Sequence, residues 1–162
     1  MSGSQKLLIF GGLALAACGM LYGLHYALFV EHQTLDGMGN SLAESFVSVA
    51  NRNSQQSHAA IQAYGATKYV YVRQVDAHSH WGGLAMLMIV LGMVFNQVRF
   101  REAIRRWLAI ALLTGSVLFP FAVLLQTANR MARIGSVLAV LGSALVTIAL
   151  AGAAWGFLRE SA

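Results

Sequence analysis

Four long runs without Asp, Glu, Lys or Arg decide most of what this chain can become: Leu7–Val30, Trp81–Val98, Trp107–Asn129 and Ile134–Leu158. Each is long enough for a helix to cross a bilayer, which takes roughly 17 to 25 residues. Inside hydrocarbon, backbone polar groups must bond within their own segment, so each run is predicted as a transmembrane helix. His25 is the one readily ionisable side chain within them. Trp81, Trp107 and Trp155 fall near span ends, where indole rings prefer the interface. The expected fold is all-α: a polytopic membrane four-helix bundle, a single membrane domain over residues 1–162, with a structured helical connector at 31–80.

Charge agrees with insertion. Only 10% of residues are charged, against about 25% in an ordinary soluble domain. The net charge of +5 does not imply a nucleic-acid partner, because Arg99, Arg101, Arg105 and Arg106 crowd the short link between spans two and three. That is the signature of a cytoplasmic loop. It predicts a multi-pass protein of the cytoplasmic membrane with both termini inside and the connector outside. Arg130 and Arg133, in the short outer turn, run against this bias. Leu15-Ala16-Ala17-Cys18 resembles a lipoprotein processing box. The apolar run continues to Val30, longer than a signal-peptide core, so the expectation is an uncleaved helix. A single cysteine allows no intrachain disulfide framework.

Small residues mark packing faces. Gly12, Ala16, Gly19 and Gly23 line one side of the first span, and Gly135, Gly142, Ala149 and Gly156 recur every seventh residue in the fourth. Such stripes let helices approach closely where lipid supplies no hydrophobic drive. Packing within one bundle is the favoured use; a homo-oligomer through the fourth helix is the other. Pro120 is expected to kink the third helix.

The connector carries its own signals. Ser41-Leu-Ala-Glu44 matches a capping box, Val47, Ala50, Ser54, His58 and Ile61 recur at helical spacing, and Gly65 is a candidate stop. These predict an amphipathic helix at about 42–64, serving as a lid over the outer mouth or as a docking surface. Tyr69-Val-Tyr71-Val after it reads either as an extended return or as an outward extension of the second span.

Asp76-Ala-His-Ser-His80, immediately before Trp81, is the main chemical feature. Imidazole and carboxylate beside hydrocarbon are costly without a ligand, a partner or a proton-transfer role. All five histidines lie between residues 25 and 80. Glu31, His32, Asp76, His78 and His80 are expected to share one layer at the outer rim, with the lid bringing His58 onto it. His25 and His32, seven apart on a helix, point the same way. Mixed imidazole and carboxylate sets suit iron, zinc, copper or nickel. The expectation is therefore a transition-metal site (copper, iron or zinc) at the outer face, used for redox chemistry. Asp76 or Glu31 would ligate or orient a histidine, and His25, Tyr22 or Tyr26 would relay protons or electrons.

The segment Val75-Asp-Ala-His-Ser-His-Trp-Gly-Gly-Leu-Ala-Met-Leu-Met-Ile-Val-Leu-Gly92 resembles the His-x-His helix of haem–copper oxidase subunit I, and small membrane proteins related to it. The resemblance is confined to that segment. It implies that His78 and His80 each ligate something from opposite helix faces, haem iron included. The chain has four spans rather than twelve and no copper-site histidine pair, so a complete oxygen-reducing centre is not expected.

A b-type haem held by His25 or His32 opposite His78 or His80 is the alternative cofactor, with Gly82, Ala85 and Gly92 leaving room beneath His78. Covalent c-type haem is excluded, since no Cys-x-x-Cys-His occurs. The partners considered are the lipid bilayer, a quinone and a larger membrane redox complex. In the last case, a non-catalytic accessory subunit would dock through its connector. Catalytic residues are not identifiable: no nucleotide loop, nucleophile triad or zincin motif is present.

Overall fold

The computed structural model describes residues 1–128 and 131–159. The end of the third run at Asn129 and the outer-turn Arg130 lie outside the described residues. Among the described residues there are five helices, α1 (Gly3–Phe29), α2 (Glu31–Ala50), α3 (Ser54–Val94), α4 (Glu102–Leu125) and α5 (Ala132–Leu158), with one 3₁₀ turn at Phe95–Gln97. Four of them, all but α2, are long and apolar enough to cross a membrane. No strand occurs among the described residues.

The connector differs from its expected form. It is a helical hairpin whose first arm, α2, starts at Glu31 rather than near residue 42. Ser41 does not cap a helix start. Its hydroxyl donates to the Gly37 carbonyl 2.9 Å away within α2, and Glu44 accepts from Gln56 Nε2 across the hairpin at 3.1 Å. The chain reverses at Asn51-Arg52-Asn53, with Arg52 at a φ of 56°. Asn53 is the true cap, its Oδ1 accepting from the Gln56 amide at 3.1 Å. Gly65 stops nothing, and α3 runs on through Tyr69–Val72 into the second apolar run.

At Val30 the break between α1 and α2 is slight. Val30 N–H still donates to the Tyr26 carbonyl at 2.9 Å, and Thr34 N–H to the Val30 carbonyl at 3.1 Å. α3 therefore lies antiparallel along α1 and then along α2, and the hairpin continues the α1/α3 pair as an arm instead of folding back as a lid.

Glycines set the contacts among the four apolar helices. A Cβ on Gly12 would lie 2.9 Å from the Ala85 carbonyl, and one on Gly92 would lie 3.2 Å from the Ile9 amide nitrogen. The seven-residue rhythm of α5 faces α4 and the loop before it. A Cβ on Gly142 would lie 2.7 Å from the Phe119 amide nitrogen, one on Gly135 would lie 2.9 Å from the Ala122 carbonyl, and Gly156 abuts Val98 and Phe100. That stripe is occupied within the chain. Pro120 sits buried inside α4 without ending it.

A polar knot ties α1, the 3₁₀ turn and α4 at the end opposite the arm. The Ser4 amide donates to Glu102 at 2.9 Å, Arg105 pairs with Glu102 at 2.8 Å, and Asn96 donates to Gln5 at 2.7 Å.

Candidate functional site

His78 is the best-positioned of the predicted residues, and the GxxxG pair of α1 positions it. Gly23 has no Cβ, and a Cβ there would collide with the His78 ring. The ring therefore lies against α1 with Nδ1 3.1 Å from the Gly19 carbonyl oxygen. A carbonyl only accepts, so this contact puts the ring proton on Nδ1 and leaves Nε2 as a free acceptor. Gly19 supplies the acceptor and Gly23 supplies the room. The spacing had pointed only to helix packing; its role toward a histidine 59 residues away carries no local signal.

Beside this cradle a groove of about 610 Å³ runs along the α1/α3 seam. Met20, Leu24 and Ala27 form one wall, Tyr71 and Val75 the other, with His78 and Glu31 both on the lining. Glu31 lies eight residues beyond Gly23, about 12 Å along the helix axis. Tyr26 also borders the groove. It is 8% exposed, and its hydroxyl has no hydrogen-bond partner among the described residues.

The other predicted residues do not converge on His78. His80, turned by about 200° on the same helix, faces α4, its ring centroid 4.6 Å from that of Phe119. The two histidines of the His-x-His motif thus serve opposite faces and share no centre. The antiparallel register also revises the expected single layer. Since Gly23 is level with His78, His25 is the α1 histidine level with Asp76, and His32 lies about 10 Å further out than His25. His25 is exposed and packs on Phe29 at 5.4 Å. His32 is exposed with Nε2 3.8 Å from Asp36. Asp76 pairs with Arg73 at 3.7 Å. His58 sits near the tip of the arm beside Val49 and Arg52, twenty residues and about 30 Å from His78 along one helix. No lid brings it closer.

Among the described residues, no three of His, Cys, Asp and Glu lie close enough to hold a metal ion. The small-residue face beneath His78 is open at Gly82, where nothing lies within 4 Å of a Cβ position, and closed further along. Ala85 is fully buried, and α1 closes on Gly92 through Leu8 and Ile9.

No protein-family model, no curated protein and no solved structure matches this chain.

Proposed function

We propose that this is an integral membrane protein, a helix bundle inserted in the cytoplasmic membrane with its arm outward, and that the α1/α3 groove binds a small amphiphile whose hydroxyl donates to His78 Nε2. The orientation rests on Arg99, Arg101, Arg105 and Arg106, which lie at the end away from the arm. One observation carries the ligand reading: the Gly19 carbonyl holds His78 in the tautomer whose Nε2 accepts a proton bond. Met20, Leu24 and Val75 would take an apolar body, and Glu31 offers a second polar contact further along. A hydroxylated ring of the quinol class, carried in the bilayer, meets both demands. It would make the protein a component of a membrane redox complex.

Titration calorimetry with decyl-hydroquinone on protein in nanodiscs tests this. Binding at least tenfold weaker in His78→Ala, and unchanged in His80→Ala, is expected. Equal affinity in wild type and His78→Ala would remove the groove from consideration.

A metal is the second reading, favoured by the same contact, because imidazoles that ligate metals commonly donate their other N–H to a carbonyl. Of its own residues the chain offers His78 and, at a distance, Glu31. A copper, iron or zinc centre would therefore take its remaining ligands from a partner in the complex. Elemental analysis of the purified complex sustains this reading if a stoichiometric metal is lost in His78→Ala and kept in His80→Ala. A Soret band with the same dependence would instead name haem b.

A further inference from the structure

The arm is built inside out. Along α2, Thr34, Met38, Ser41, Ser45 and Ser48 face α3, spaced alternately by four and three residues. The buried contacts of the hairpin are Ser45, Ser48, Ser57 and Ala60, with the Ser45 and Ser57 hydroxyls 3.3 Å apart. One position further round, Leu35, Gly39, Leu42, Phe46 and Val49 repeat the same spacing on the outside. Leu42 is 41% exposed, Phe46 67% and Val49 62%. On α3, His58 and Ile61 continue this face, since Val49 and His58 line one hollow at the tip and Ile61, one turn on, is 52% exposed.

A two-helix arm in water gains most of its stability from burying an apolar face. This one leaves that face open. Asp36 and Glu44 lie off the stripe, which carries no charge on α2.

We propose that the stripe is covered by the same stripe of a second copy, forming a parallel α2–α2 seam about a two-fold axis along the membrane normal. Three features select this occupant. The alternating spacing is that of a coiled-coil seam, with Leu35, Leu42 and Val49 at its d positions and Gly39 and Phe46 at its a positions. Two copies inserted in one membrane share their orientation, so the arms meet in parallel and a self-complementary patch closes on itself. The area reaches the minimum that a specific interface needs, about 1,000 Å². A hairpin face about 30 Å long and about 18 Å wide gives roughly 1,100 Å² over both copies, near the lower edge of specific interfaces. Gly39, with nothing within 4 Å of its Cβ position, allows close approach mid-seam. The inference rests on membrane insertion and not on the His78 groove, so the two succeed or fail separately.

A parallel two-fold seam brings each seam residue beside its own copy. In a Cys18→Ser background, Leu42→Cys should form most of its population as disulfide-linked dimer when membrane vesicles are oxidised. Asn40→Cys, on the opposite side of α2, should form less than a tenth as much. Phe46→Glu should halve the mass of this protein per disc, read by light scattering after the scaffold and lipid contributions are subtracted, in nanodiscs loaded without dilution of copies. Equal cross-linking at positions 40 and 42, or none at 42, overturns the proposal, as does a monomeric mass for wild type. Co-purification of a different protein on the stripe with no 42–42 cross-link overturns it too.

Discussion

α3 runs through two settings and packs differently in each. Over Ala77–Gly92 it meets α1 through Gly12, Gly19, Gly23 and its own Gly92. Over Ser57–Ala60 it meets α2 through serine and alanine. Small residues at an apolar seam are what lipid surroundings favour, because backbones gain by close approach and nothing is gained by burying leucine. In water the same choice is costly, since burying large side chains is the main driving force. The arm follows the lipid rule in a polar stretch of sequence and turns Leu42 and Phe46 outward. The comparison shows which half buries large apolar side chains and which exposes them.

The largest effect should come from the apolar half. Gly142→Leu forces a side chain into the Phe119 backbone and is expected to cost about 3 kcal/mol. A fall in the thermal midpoint of detergent-solubilised protein would register it, and an unchanged midpoint would mean that α4 and α5 do not meet there. Gly23→Ala comes next, pushing the His78 ring off Gly19. With ¹⁵N-labelled histidine, NMR should show the Nδ1–H tautomer in wild type and a mixture in the variant.

Within the arm, Ser45→Ala alone strands the Ser57 hydroxyl and should cost about 1–2 kcal/mol. Adding Ser57→Ala should recover most of that loss, as read by proteolysis of the arm. If the double variant is worse than the single, the hydroxyl pair contributes more than packing shape. Smallest of all, Asp36→Ala removes an exposed partner of His32 and should change stability by less than about 0.5 kcal/mol.

Much of the helix content was legible because span length and the absence of charge are strong, local signals. The seven-residue rhythm of α5 also carried its meaning, since Gly135 and Gly142 pack on α4 as small residues in lipid should. The arm was misread for a physical reason. Ser41 and Glu44 satisfy a capping-box pattern, yet a serine inside a helix can equally donate back to the carbonyl four residues earlier. Only the partner chosen, Gly37, distinguishes the two. For the site, the opposite faces of His78 and His80 followed from helical geometry, whereas their depth relative to His32 did not. Depth depends on where the hairpin turns, and the continuation of α1 into α2 moved that turn out to Arg52. The Gly19 carbonyl was invisible because a backbone acceptor has no letter in the sequence.

α3 is a single helix of 41 residues, about 60 Å of rod, with no proline in it. Such a rod resists bending and twisting over its length, so torque applied at the tip arrives where α3 meets α1. Turning it would shift the His78 ring against Gly19 and Gly23 and the His80 ring against Phe119 together, since both are carried on the one rod. The azimuth of two imidazoles is thereby geared to whatever grips the far end.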